Sequence, residues 1–250
     1  MGLEAAQKFY EANRMLMDEG VELLWPARWT YYQLMEKRAE DELSFDSEYQ
    51  NEPINPRDCL FNVEKFTYWD TAYKSVEDLV RAVGHQVEFY GACDPSLGRD
   101  TVRGDFTAII ILARDPRSEQ LYIVVADIER RTPTQTIEAI LAYYRRFRFL
   151  RFAIEANQFQ ELLAQELKRR AYESRLYLPI EEVKNTVDKV KRIQTLHPLI
   201  QSGQVQFSKS HQQLLAEARF FPKGKHDDGL DALEMAVRIA ERREPNIRWV

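Results

Sequence analysis

Acidic residues occur where two apolar segments end and where an amphipathic segment begins. They are Asp94 in VEFYGACDPS, Glu155 in FLRFAIEANQF, and Asp227, Asp228 and Asp231 in KHDDGLDALEMAVRIA. Carboxylates that converge in one cleft repel each other and lose hydration, which disfavours their ionised forms unless a cation binds. Oxygen ligands suit Mg²⁺ or Mn²⁺, and two such ions about 4 Å apart can clamp the attacking and leaving oxygens of a phosphodiester. The pattern therefore predicts metal-dependent phosphodiester hydrolysis.

Each of these acidic residues also has an ordinary structural explanation. Asp94 is followed by Pro95 and Ser96, a tripeptide that is typical of a turn. Glu155 could cap the next helix, although Asn157 is the better capping residue. The Asp227–Asp228 pair could cap a helix and compensate its dipole, each effect contributing about 1 kcal/mol. These explanations are compatible with metal binding.

Apolar runs and turn signals predict the elements that must position the carboxylates. Residues 3–19 and 30–42 are predicted as helices, followed by a linker rich in proline and polar residues. Three antiparallel strands are then predicted, and the rest of the chain alternates between helices and strands. The predicted strands are 87–93, 106–113, 121–127, 149–155, 176–180 and a short one at 205–207. The predicted later helices are 133–147, 158–171, 186–195 and 228–242.

This order predicts an α/β domain with a mixed sheet of five strands, or slightly more, and helices on both faces. In the final helix, Leu230, Leu233, Ala236 and Val237 form the predicted buried stripe.

Composition limits the class of protein. The chain has 250 residues, of which 44% are hydrophobic and 30% charged, enough for one sizeable core. The opening residues MGLEAAQKFYEANRM lack the apolar region of a signal peptide, and the longest uncharged apolar run, residues 106–113, cannot span a bilayer. We therefore expect a cytosolic protein that does not act in membranes. Cys59 and Cys93 form neither a metal-ligand pattern nor a disulfide framework, and alternation turns Cys93 away from Asp94 towards a packed face.

Several stretches resemble the nuclease domain of tailed-phage or prophage terminase large subunits, in the ribonuclease H-like superfamily. They are FDSEYQNEP, CDPSLGRDTVRGDFTAIII, IEANQFQELL, KVKRIQTLHPLIQSGQVQF and FPKGKHDDGLDAL, spread over residues 45–240 in the family's order. The sequence lacks GxxxxGK[ST], the phosphate-binding loop of the terminase ATPase. We therefore expect a nuclease-domain fragment or a truncated prophage product. Residues 1–58 would be a helical arm and linker, and residues 59–250 the ribonuclease H-like nuclease domain.

The resemblance implies a role for each carboxylate. Asp94 would bridge two Mg²⁺ or Mn²⁺ ions, sharing one with Glu155 and the other with Asp228. Asp231, by similarity to the DxxD spacing of related resolvases, would take part in catalysis by contacting the metal through a water molecule or by contacting a metal ligand. It also remains a possible direct metal ligand. The choice between Asp227 and Asp228 as the ligand stays open. No organic cofactor is expected.

The implied function is endonucleolytic cutting of concatemeric double-stranded viral DNA in the host cytoplasm. The terminase ATPase domain, the small terminase subunit and the portal would be its partners. Because the net charge is −5, DNA contacts must be local. The expected DNA-binding residues are Lys189, Lys191, Arg192, Lys223 and Lys225, with Arg99 and Arg103 on a predicted hairpin over residues 97–104. Asp105 is considered as a holder of metal-bound water, or equally as a loop residue.

Two rival functions remain at this point. A resolvase or transposase-like nuclease would use the same set of carboxylates, although the linker and HDDGLDAL context favour a terminase. Alternatively, the domain would be a non-catalytic DNA-binding or portal-docking module of the packaging motor.

Overall fold

The computed structural model describes residues 3–40, 45, 59–84, 86–96, 106–155 and 160–242. The chain divides into two compact units, Met1–Asn55 and Pro56–Val250. The predicted domain boundary at residue 58, most of the EYQN-like linker, and the predicted hairpin with Arg99, Arg103 and Asp105 lie outside the described residues. These assignments remain predictions.

The first unit contains two helices, α1 (Leu3–Met17) and α2 (Tyr31–Glu40). Both were predicted from the sequence. The Tyr10 ring contacts the ring of Tyr32 at a centroid distance of 5.1 Å, and its hydroxyl donates to Asp18 at 2.7 Å. Within the described residues, no helix is long and apolar enough to cross a bilayer.

The second unit is built on a mixed six-stranded sheet, as predicted. In chain order its strands are β1 (Glu88–Asp94), β2 (Thr107–Arg114), β3 (Leu121–Glu129), β4 (Arg151–Glu155), β5 (Ile180–Val183) and β6 (Val205–Gln206). The spatial order is β5-β4-β1-β2-β3-β6. β1 pairs antiparallel with β2 and parallel with β4, so it lies where the antiparallel and parallel halves of the sheet meet.

Helices cover both faces of the sheet, again as predicted. They are α3 (Val76–Val83), α4 (Pro133–Phe147), α5 (Gln160–Glu173), α6 (Lys189–Gln194), α7 (Leu196–Gln201), α8 (Gln212–Phe220) and α9 (Asp228–Glu241). Because strand side chains alternate between faces, Cys93 packs with α3, α4 and α5, whereas Ala92 packs with α7, α8 and α9. Cys93 is fully buried, as its position next to Asp94 predicted.

The fifth strand begins four residues later than predicted. The apolar residues Leu176 and Leu178 suggested a strand over 176–180, whereas β5 starts at Ile180, which pairs with Phe152. Leu176 and Leu178 are partly buried against the α3, α4 and α5 side of the core without joining the sheet. Leu176 and Leu178 are apolar because they pack against the core, not because they belong to a strand. The apolar pattern therefore placed the predicted strand too early in the chain. The short helices α3, α7 and α8 were not predicted.

Helix α9 packs across β1, β2 and β4 and carries acidic residues at its start. The predicted stripe of Leu230, Leu233, Ala236 and Val237 is buried, as are most other residues of this helix. Asp227 occupies the capping position but makes no capping hydrogen bond.

The first turn of α9 is instead anchored by Glu217 of α8. Its Oε2 accepts the Gly229 backbone N–H at 2.8 Å. A Cβ atom at Gly229 would lie 2.4 Å from Ile128 Cδ1 and 2.7 Å from that Oε2, so both side chains would have to shift to admit any other residue.

The contact between Glu217 and the Gly229 N–H can be tested through the pH dependence of the free energy of unfolding, because Glu217 is titratable. It is 3% exposed, and burial, followed by the charge of Asp228, raises its pKa from 4.5 to about 7. The folded state therefore holds this proton more tightly than the unfolded state does. The stabilising contribution is complete below pH 4.5 and is lost as the pH rises to about 7.

In Glu217→Gln, an amide oxygen can still accept the Gly229 N–H, but the titration is gone. We expect the variant to gain on the order of 2–3 kcal/mol relative to wild type between pH 4.5 and pH 8, at 1.36 kcal/mol per pKa unit. Urea unfolding in EDTA at several pH values measures the difference. A variant whose stability follows the wild-type pH curve would show that Glu217 titrates normally.

Candidate metal centre

Three predicted acidic residues meet at one end of the sheet. Asp94 ends β1 and Glu155 ends β4, and these parallel strands are neighbours that pair through Cys93 and Ile154. Asp231, in the first turn of α9, approaches from the helical layer. One carboxylate oxygen from each of the three residues lies within 4.8 Å of the other two.

The three carboxylates line a pocket of about 370 Å³ in which charged side chains dominate. The remaining lining residues are Pro95, Ser96, Phe106, Asn185, Val187, Lys189, Arg192 and Asp228. Four carboxylates and two cationic side chains therefore face one small space. The excess of negative charge and the all-oxygen donor set fit a hard divalent cation such as Mg²⁺ or Mn²⁺.

Asp94 shows the cost of bringing these charges together. Its side chain is 9% exposed. Burial, followed by the charges of Asp231, Glu155 and Asp228, raises its pKa well above the ordinary range, while Lys189 opposes the shift. A bound divalent cation would remove this penalty, because it would favour the ionised carboxylate.

Lys189 supplies a positive charge inside the cluster. Its Nζ lies 2.7 Å from Asp227, 3.5 Å from Asp231 and 4.0 Å from Asp94. Burial works to lower the pKa of Lys189, but the hydrogen bond to Asp227 and the charges of Asp231 and Asp94 outweigh it, so the pKa is raised. The ammonium thus partly neutralises the carboxylates in the absence of metal.

Arg192 lines the pocket and is held by two carboxylates, and the DNA contact that we predicted for it stays a prediction. Only 7% of it is exposed, and its guanidinium donates to Asp231 at 2.5 and 3.1 Å and to Glu234 at 3.0 Å. In this structure its charge is matched by two buried carboxylates. The sequence KVKR suggested a solvated basic helix because these partners lie about forty residues away in the chain.

The structure distinguishes Asp231 from the two acidic residues before α9. Asp227 is directed to Lys189, and Asp228 lines the pocket with Oδ2 3.9 Å from His226 Nδ1. Our assignment of Asp228 as third ligand stays a prediction, but Asp231 is the residue that the structure groups with Asp94 and Glu155.

Three other predicted DNA-binding residues lie in the part of the chain that the structure describes and are not members of the carboxylate cluster. Lys191, Lys223 and Lys225 are exposed. Their predicted contact with DNA is compatible with this exposure and remains untested.

Three residues of the site were not predicted from sequence. Asn185 donates to Glu155 at 2.9 Å, Arg238 donates to Asn185 at 2.9 Å, and Glu234 pairs with both Arg192 and Arg238. The only sequence signal was the spacing of Glu234 and Arg238 along the face of Asp231. No local pattern marked Asn185.

The grouping of carboxylates generates a prediction about metal affinity. We expect Asp231→Asn to raise the Mn²⁺ Kd at least about tenfold more than Asp228→Asn, because Asp231 shares the cluster with Asp94 and Glu155. Calorimetric titration of both variants measures this, and Arg192 keeps Glu234 as its partner in Asp231→Asn. A larger effect of Asp228→Asn would restore Asp228 as the third ligand.

The position of Lys189 generates a second prediction. Lys189→Met removes an ammonium group that would repel a Mn²⁺ ion bound about 4 Å away. We therefore expect the variant to bind Mn²⁺ about fivefold to tenfold more tightly. The matched control is Lys191→Met, which removes an exposed charge from the same helix and should leave the Kd within about twofold. Weaker Mn²⁺ binding by Lys189→Met would show that the ammonium supports the ion instead of competing with it.

Comparisons with known proteins agree with this architecture. The family model described as Terminase RNaseH-like domain matches residues 91–238, more than half of the chain. No curated protein matches.

Two solved structures illustrate the similarity of fold. The human cytomegalovirus terminase nuclease domain, Mn soaked with inhibitor bound, is 15% identical with a TM-score of 0.52, covering 73% of this chain and 95% of that one. The Thermus phage P74-26 large terminase nuclease domain is 17% identical with a TM-score of 0.50, covering 72% and 94%. At this identity the structural similarity establishes the fold alone. The family match adds membership, and the chain belongs to the family of terminase RNaseH-like domains.

Proposed function

We propose that this protein is a metal-dependent DNA endonuclease of a viral genome-packaging terminase. The observation that carries the proposal is the convergence of Asp94, Glu155 and Asp231 at one end of a terminase-family sheet. Three oxygen-donating side chains from separate elements, partly neutralised by one ammonium, are suited to divalent cations and poorly suited to an organic ligand.

Asp94, Glu155 and Asp231 would hold Mg²⁺ or Mn²⁺, with Asp228 at the edge of the same pocket. When bound, a pair of such ions supplies an activated water for attack on the phosphorus and stabilises the oxygen that leaves. The water oxygen forms a bond to phosphorus, the bond from phosphorus to the 3′ oxygen breaks, and that oxygen takes up a proton. The products would carry a 5′ phosphate and a 3′ hydroxyl.

The protein's own residues would also bring the substrate to the pocket. Lys191, Lys223 and Lys225 are exposed, and Arg99 and Arg103 stand in the predicted hairpin. Such side chains bind phosphates without reading sequence, which suits a nuclease with little sequence preference.

The biological setting is part of the proposal. Within a complete terminase, this domain would cut concatemeric double-stranded DNA in the host cytoplasm at the start and end of head filling. The ATPase domain, the small terminase subunit and the portal would regulate the cut. Support for this setting comes from the family match and from the linker and HDDGLDAL motifs.

The function is tested by plasmid cleavage with Mg²⁺, Mn²⁺ or EDTA, together with calorimetric metal binding. We expect cleavage that requires metal. Its rate should fall at least about 100-fold in Asp94→Asn, because loss of a direct metal ligand should cost more activity than the 10–100-fold lost when a residue hydrogen-bonded to a ligand is replaced. The control is Asp78→Asn, which removes a surface carboxylate that pairs with Arg81 at 3.2 Å.

Other outcomes would support the rival functions. Undiminished cleavage by Asp94→Asn would remove the assignment of this site. A preference for four-way junctions over linear duplex would indicate a resolvase-like enzyme, and metal binding without cleavage would favour a regulated or non-catalytic module of the motor.

A further inference from the structure

The carboxylates Glu155 and Asp231 are connected behind the pocket by a continuous series of polar contacts. On the Glu155 side, Asn185 Nδ2 donates to Glu155 Oε1 at 2.9 Å, and Arg238 Nη2 donates to Asn185 Oδ1 at 2.9 Å. Asn185 is therefore held from both sides. A carboxylate can only accept hydrogen bonds and a guanidinium can only donate them, so the orientation of the amide is forced.

On the Asp231 side, the contacts run through two guanidinium groups and one carboxylate. Arg192 forms a two-pronged contact with Asp231 and also donates to Glu234 at 3.0 Å. Arg238 Nε lies 3.3 Å from the other oxygen of Glu234. The complete series is Glu155, Asn185, Arg238, Glu234, Arg192 and Asp231.

The members of this series on the Asp231 side are buried. Asp231, Glu234 and Arg192 are 2%, 5% and 7% exposed, so their charges are poorly screened by water and their geometry is strongly constrained. The two guanidinium groups are rigid forks, which suits them to hold carboxylates in one orientation. Four residues connect Glu155 to Asp231, and each of them contacts a polar partner, so packing in the apolar core does not explain their positions. They are Asn185, Arg238, Glu234 and Arg192.

We propose that Asn185 and Arg238, with Glu234, are positioning residues that set the separation and orientation of Glu155 and Asp231 before metal binds. The inference rests on the metal-binding part of the proposed function. We expect substitution of Asn185 to have the largest effect, because its side chain donates to the Glu155 carboxylate and accepts from the Arg238 guanidinium. Only a side chain with both a donor and an acceptor can make these two contacts. Arg238 acts through Asn185 and Glu234 and does not touch the metal.

The test is the Mn²⁺ affinity of substituted forms of this 250-residue chain. We expect Asn185→Leu and Arg238→Met to raise the Mn²⁺ Kd about tenfold or more, the range found for partners of metal ligands. Arg238→Lys should recover part of the affinity, because it keeps the charge but not the fork. Cleavage should follow metal occupancy, so that raising the Mn²⁺ concentration restores much of the rate.

The matched control is Arg242→Met, at the residue that directly follows the same helix. Arg242 pairs with Glu181 at the surface at 3.1 Å and is half exposed, so its loss removes the same charge away from the pocket. Its Mn²⁺ Kd should equal that of wild type. Unfolding midpoints in EDTA for all variants separate lost stability from lost affinity.

The outcomes distinguish this inference from the proposed function. Unchanged Mn²⁺ affinity in folded Asn185→Leu and Arg238→Lys would overturn the positioning role, even where wild type cleaves DNA. Wild type that binds Mn²⁺ without cleaving DNA would overturn the endonuclease proposal alone, and the affinities of the variants would still decide the positioning role. Wild type that binds no Mn²⁺ would overturn both.

Discussion

The repulsion between buried carboxylates at the end of β1 and β4 is the constraint on which the rest of this structure depends. Asp94 is 9% exposed and faces Asp231, Glu155 and Asp228, an arrangement that costs free energy wherever no cation compensates it. The fold compensates with charges of its own. Lys189 enters the cluster from α6, and Arg192, on the same helix, holds Asp231 from behind. Helix α6 thus supplies the two cations on which the stability of the metal-free pocket rests.

The position of β1 explains why the carboxylates meet at all. The strand pairs antiparallel with β2 and parallel with β4, so its end adjoins the end of a strand that arrives from the other half of the sheet. Helix α9 then crosses β1, β2 and β4 and brings Asp231 to the same place. At the start of this helix, Gly229 lies close to Ile128 of β3 and its backbone N–H donates to Glu217 of α8. The sheet topology places β1 beside β4, and the packing of α9 on these strands adds Asp231 to the cluster.

The sequence predicts much of this arrangement because its signals are local. Alternating apolar residues and the turn after Asp94 indicate strand ends, and the stripe containing Leu230 and Leu233 indicates a buried final helix. The sequence does not distinguish Asp228 from Asp231, because the rotation of α9 about its axis depends on how the helix packs on the sheet and not on spacing along the helix. It also does not predict the burial of Arg192 or the role of Asn185. Both depend on partners that are remote in the chain and carry no local pattern.

The order of the ligands along the chain has a consequence for biosynthesis. All six strands are complete by Gln206, but Asp231 belongs to the last helix of the described chain. A nascent or clipped polypeptide that ends before α9 can contain the whole sheet, with Asp94 and Glu155, and still lack the third member of the cluster. The three-carboxylate cluster is therefore complete only in a chain that has been synthesised and folded through α9.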